Sequence, residues 1–182
     1  MCYTPALPEG RVFNNQGQFK VRHSRRDEII ALAGFLFLCL IVGLSGIGIT
    51  TFSLHGWYLS LNQPGLLPPI WVFLPIWIVL YLMVALAGWE IWRVPDTRLR
   101  YQQALTAWGW QIGLKALWTP VFFGLHWLLA AFAVGLVLFG AILFTILRFA
   151  RLNRAASLLM LPYCGWVAFE LYLNAGFWWL NH

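Results

Sequence analysis

Two ionisable side chains and two tryptophans occupy positions where a membrane-inserted chain seldom places them. Lys115 lies about 13 residues into the apolar run 102–123, and Glu170 about 15 residues into the run 155–180. At 1.5 Å rise per residue the two reach nearly the same depth. A charge at that depth is costly unless it faces protein or water, so each residue is a candidate for function. Two readings follow: an ion pair lining a polar pocket, or two unrelated side chains, each hydrated by a cavity. The first predicts that neutralising either residue alone costs more stability than neutralising both. Trp77 stands about 7 residues, roughly 10 Å, inside the run 70–92, and Trp166 about 11 residues into the last run. An indole N–H so deep must find a partner on another helix or face a cavity. Both tryptophans are therefore either hydrogen-bonded between helices or lining a ligand site.

The elements that must position these four are five apolar runs, near 29–52, 70–92, 102–123, 127–149 and 155–180. Each is 22–26 residues long, and about 20 suffice to cross the hydrocarbon core. With 61% hydrophobic and 10% charged residues, the chain falls far below the roughly 25% charge of soluble domains. The predicted fold is an all-α membrane protein, a bundle of five transmembrane helices forming one domain over 29–182. A basic tail, 1–28, carries Pro5, Pro8, Gly10 and Gly17 without sustained periodicity and is expected to be disordered or loosely bound to the membrane surface.

The net charge of +6 is unevenly placed. Arg11, Lys20, Arg22, Arg25 and Arg26 in the tail share one side with Arg93, Arg98 and Arg100 and with Arg148, Arg151 and Arg154. That is 11 of the 12 basic residues, and the opposite side has none. The asymmetry predicts the N-terminus on the cytoplasmic-type side and reads these cations as topology signals that also touch anionic lipid, not as nucleic-acid contacts. Cys2, Cys39 and Cys164 are far apart and read as apolar fillers, and His23, His55, His126 and His182 are scattered, so no metal site is assigned. No phosphate-binding loop, dinucleotide glycine pattern or zinc-protease helix occurs, and no catalytic residue or required cofactor is assigned. A polar stretch precedes the first run, which is expected to remain in the mature protein.

The other ten tryptophans fit interfacial belts, with Trp89, Trp92, Trp108 and Trp110 near the basic side and Trp57, Trp71, Trp118, Trp127, Trp178 and Trp179 opposite. Pro64, Pro68, Pro69 and Pro75 predict an ordered cap over 62–75, and Pro120 and Pro162 predict kinks that open space between helices. Gly109 and Gly113 form a G-x-x-x-G on the third run, a surface through which two copies could approach as a homodimer.

Residues 57–92, WYLSLNQPGLLPPIWVFLPIWIVLYLMVALAGWEIW, resemble the hallmark segment of the tryptophan-rich sensory protein and translocator protein family (TspO/MBR, including the peripheral benzodiazepine receptor). The pattern is matched at Trp57, Tyr58, Pro64, Pro68, Pro69, Trp71, Phe73, Trp77, Leu80, Tyr81 and Met83. LWTPVFFG at 117–124 is similar to the end of the family's third helix, and LPYCGWVAFELYLN at 161–174 to its fifth. The resemblance implies a five-helix bundle, usually dimeric, with a cavity beneath the first loop that takes porphyrins such as protoporphyrin or haem. It implies ligand contacts at Trp77 and Trp166, with Trp71, Phe73 and Tyr81 nearby, and a multi-pass location in a bacterial cell membrane or, in a eukaryote, an organelle membrane. Lys115 or Glu170 would then address a propionate or a ring nitrogen. Members have also been proposed to degrade porphyrin in light, and a scaffold role is a third reading. The chain departs from the pattern at Gly65–Leu67, where the family has a tryptophan, at Lys115, where it usually has Asn, and at Glu170, where it usually has a small residue. No cation follows Tyr172, so the family's sterol-recognition pattern is incomplete.

Overall fold

A computed structural model describes residues 11–13, 19–21, 24–94 and 99–182. Arg11–Phe13 (β1) pairs antiparallel with Phe19–Val21 (β2), Val12 opposite Lys20. Strands of three residues are too short to leave a periodic signal in the tail. Cys2, Arg22, His23 and Arg98 lie outside the described residues.

Five long helices follow: α1 (Arg25–Ser53), α2 (Ile70–Trp92), α3 (Leu99–Thr119), α4 (Leu128–Ala150) and α5 (Arg154–Leu180). The first begins four residues ahead of the apolar run at 29, because Ser24 and Asp27 cap it reciprocally. The Asp27 N–H donates to Ser24 Oγ at 3.2 Å, and the Ser24 N–H donates to Asp27 Oδ2 at 3.1 Å. Pro69 precedes α2, whose first turn needs no N–H from it. Asn153 caps α5, its Oδ1 accepting from the N–H groups of Ala155 at 2.9 Å and Ala156 at 3.4 Å. The predicted run 102–123 divides at Thr119, after which Pro120–Gly124 forms a π-helical turn, as does Leu54–Tyr58 after α1.

The helices close into a ring in the order α1, α2, α5, α4, α3, each packed against its two neighbours, with α3 meeting α1 to complete the circuit. Glycine permits the tightest crossings. A Cβ on Gly135 of α4 would stand 2.7 Å from Leu171 Cδ2 on α5, and one on Gly88 of α2 would stand 2.8 Å from Phe35 on α1 and 2.9 Å from Trp108 on α3. The outward faces stay apolar, as at Phe37, Leu44, Val79, Leu136 and Leu147, all exposed, which is the surface lipid requires and water penalises. Helices α1, α2, α4 and α5 are long and apolar enough to cross a membrane. In α3 the apolar character is diluted by Arg100, Gln102, Gln103, Gln111 and Lys115, of which Gln111 and Lys115 are buried inside the ring.

Polar side chains gather at the end of the ring where α1 and α5 begin. Trp89 Nε1 donates to the Glu28 carbonyl at 2.9 Å, Arg93 pairs with Glu28 at 3.6 Å and Glu90 at 3.2 Å, and Asn153 Nδ2 donates to Glu90 at 3.0 Å. These bonds tie α1, α2 and α5 together where hydration is available to the unused donors.

Candidate functional site

At the opposite end, residues 59–69 form a lid. Pro64 is buried against Gly176 of α5, where an added Cβ would come within 2.8 Å of Pro64 Cβ. Asn62 and Asn181 fasten the edge: the Asn62 N–H donates to Asn181 Oδ1 at 2.8 Å, Asn181 Nδ2 to the Asn62 carbonyl at 3.0 Å, and Asn62 Nδ2 to the Leu180 carbonyl at 3.2 Å. Tyr58 anchors the lid's root among Phe123 and Phe177, and Trp57 stacks on His126 with ring centroids 4.0 Å apart. Asn181→Ala removes two of the three fastening bonds and is expected to cost about 1–2 kcal/mol locally. Hydrogen exchange of the amides at 60–67 should then speed up roughly tenfold, with α2 unchanged.

Beneath the lid, helix periodicity brings chemistry from three elements to one focus. On α2, Phe73, Trp77 and Tyr81 recur every four residues and face the same way. On α3, Lys115 and Trp118 are three apart, and on α5 Tyr163, Trp166, Glu170 and Asn174 share a stripe. Lys115 Nζ lies 2.9 Å from Glu170 Oε2, and both side chains are almost wholly buried, at 4% and 10% exposure. The ammonium is boxed on two further sides, 3.8 Å from the centroid of Trp77 and 4.4 Å from that of Trp118. A desolvated ammonium on indole faces gains about 2 kcal/mol from the ring quadrupole. The second carboxylate oxygen, Glu170 Oε1, accepts from Trp166 Nε1 at 3.2 Å. Phe73 packs edge-on to Trp166 at 5.6 Å, and Trp77 lies 5.1 Å from Tyr81 and 6.1 Å from Tyr163. Depth had placed Lys115 and Glu170 level, and the structure joins them.

Trp71 is not part of this focus. It is 74% exposed, because two residues before Phe73 is roughly 200° around the helix from the inward face. Gly109 and Gly113 also face outward: a Cβ on either would meet no atom within 4 Å. With Thr106 and Trp110 they line a shallow recess of about 310 Å³ on the outer face of α3. Trp118, placed by position in an interfacial belt, instead walls the ion pair. Trp108, likewise assigned to a belt, is buried and donates its Nε1–H to the Val84 carbonyl at 3.0 Å. The signal for Trp118 was present in the sequence as the i,i+3 spacing from Lys115.

Three more polar side chains were not singled out for the site. Gln111 on α3 and Tyr163 and Asn174 on α5 are 0%, 1% and 1% exposed, and the Tyr163 hydroxyl and both amide groups have no hydrogen-bond partner in the protein. Gln111 lies one turn before Lys115, and Asn174 one turn after Glu170, so unsatisfied donors and acceptors flank the pair along the bundle axis.

Such a bundle, apolar outside, capped at one end by a proline loop and holding a buried ion pair walled by tryptophan, is an integral multi-pass membrane protein. Residues 35–180 match the model of the TspO/MBR family, and the chain belongs to that family. It is 33% identical over 147 residues to the tryptophan-rich protein TspO of Chlorobaculum tepidum, covering 81% of this chain and 93% of that one. It is also 33% identical over 156 residues to the tryptophan-rich protein TspO of Archaeoglobus fulgidus, covering 84% and 98%. The translocator protein of Ovis aries is 31% identical over 123 residues, covering 67% and 73%.

Proposed function

We propose that this chain is a membrane receptor, sensor or carrier that takes a porphyrin-type tetrapyrrole or a similar planar apolar ligand beneath the lid. The convergence of Trp77 and Trp166 from separate helices on the Lys115–Glu170 pair carries this reading. Flat indole and phenyl faces offer stacking and apolar burial, and a single caged cation offers a partner for a peripheral carboxylate. The departure at Gly65–Leu67 leaves the lid without an aromatic contact there, so discrimination falls to α2 and α5. In this reading α3 is the fifth span, shielding Gln111 and Lys115 from lipid by turning them inward. The N-terminus lies on the basic side, and the outward stripe of Gly109 and Gly113 serves a homodimer.

Titration of the purified protein with protoporphyrin and with haem, in darkness and in light, tests the reading. Trp77→Phe with Trp166→Phe is expected to weaken binding about 10- to 100-fold, since each lost indole face contributes roughly 0.5–1.5 kcal/mol beyond its area. Quenching that survives the double change unaltered refutes the pocket. A light-dependent product that disappears in the variant would establish porphyrin photo-oxidation instead.

A further inference from the structure

The Lys115 ammonium has no open side for an anion. Glu170 meets it at 2.9 Å, and the rings of Trp77 and Trp118 cover it at 3.8 and 4.4 Å. A ligand carboxylate can therefore reach this cation only by taking the place of Glu170. The site as it stands is neutral, one ammonium and one carboxylate. Adding a second carboxylate would leave a net negative charge in an interior of low dielectric, where an unpaired ion is strongly disfavoured. A proton on the displaced carboxylate restores neutrality.

We infer that a ligand carboxylate enters this site together with one proton, replacing Glu170 on Lys115 and leaving Glu170 as the neutral acid. The balance is closed: the ligand carboxylate and one proton from water enter, Lys115 keeps its charge, and the proton rests on Glu170. Neutral Glu170 can still accept the Trp166 Nε1–H at Oε1, so the exchange preserves the bond now present at 3.2 Å. The inference rests on the proposed tetrapyrrole site, and it adds the coupling of occupancy to protons.

Other ionisable side chains lie around Glu170. From α2 it is faced by Tyr81, from its own helix by Tyr163, and from α3 by Lys115. Cys39 of α1 and Cys164 of α5 lie within electrostatic range of these phenols. The only ionisable side chain of α4 is Arg148, in its last turn, where it donates to Gln103. Phenols and thiols ordinarily change charge above about pH 8, and propionates below about pH 5. Between these limits linkage requires tenfold tighter binding for each unit fall in pH, per proton taken up.

The test compares protoporphyrin with its dimethyl ester, which has the same ring and no carboxylate, on the purified full chain at pH 5.5, 6.5 and 7.5. The dissociation constant of the acid is expected to rise about tenfold per pH unit and that of the ester to stay flat. Calorimetry in two buffers of different ionisation enthalpy should count about one proton for the acid and none for the ester. In Glu170→Gln the pH dependence for the acid should vanish. Should that variant fail to fold, the comparison of acid with ester on the unaltered protein decides alone. Binding of both with equal pH dependence overturns the proton coupling and leaves the tetrapyrrole site standing. Binding of neither refutes the functional reading, and the coupling with it.

Discussion

Lys115→Met alone is expected to destabilise the protein by about 3–5 kcal/mol, whereas Lys115→Met combined with Glu170→Met should lie within about 1 kcal/mol of the original or above it. The single change strands the Glu170 carboxylate at a position 9% exposed, leaving it the hydrogen bond from the Trp166 N–H. It also strips the Trp77 and Trp118 faces of the ammonium they enclose. The double change removes both ions and lets apolar side chains of similar length fill the volume, so the desolvation cost disappears with the attraction that offset it. Glu170→Met alone should cost at least as much, because a buried ammonium then retains only the indole faces. Unfolding of all four proteins in mixed detergent, analysed as a double-mutant cycle, reads the coupling directly. Losses that simply add would show that the two charges are held independently.

Gly88→Val is expected to lower stability by about 1–3 kcal/mol through overpacking at the junction of α1, α2 and α3. Its first added carbon would already lie 2.8 Å from Phe35 and 2.9 Å from Trp108. These rings meet edge to face with centroids 4.9 Å apart, and Trp108 is held by its hydrogen bond to the Val84 carbonyl. Neither ring can withdraw without breaking that contact or that bond, so α1 must move outward. Helix α1 has only Cys39 fully buried among its side chains, so little apolar burial opposes the shift. Phe35→Ala alone should be mildly destabilising, yet in the Gly88→Val background it should restore part of the loss. A thermal midpoint that Gly88→Val leaves unchanged would contradict the close approach.

The helices themselves were legible to within a few residues. Runs at 70–92 and 127–149 coincide with α2 and α4 or differ by one residue, since a span declares itself by length and apolarity alone. The third run misled at its end, where Pro120 closes α3 although apolar residues continue. For the site, depth singled out Trp77, Trp166, Lys115 and Glu170, and all four converge. Trp118 was misplaced because an indole near the end of a span is compatible with both an aqueous interface and an interior wall. Trp71 was misplaced in the other direction, by carrying a whole motif to the site when only every fourth residue of α2 faces it.

Hydropathy and a rise of 1.5 Å per residue order side chains along the helix axes, so residence in a membrane and the common depth of the ionisable pair follow from composition and spacing. Position around each axis is another matter, because lipid tails are as apolar as a leucine on a neighbouring helix, and hydrophobicity alone cannot tell the two apart. Which faces meet is settled by small-residue crossings such as Gly88 and Gly135, by the seating of Pro64 on Gly176, and by the need to pair Lys115 with Glu170. Those pairwise fits close the ring of helices, and they alone enclose the ammonium between Trp77 and Trp118.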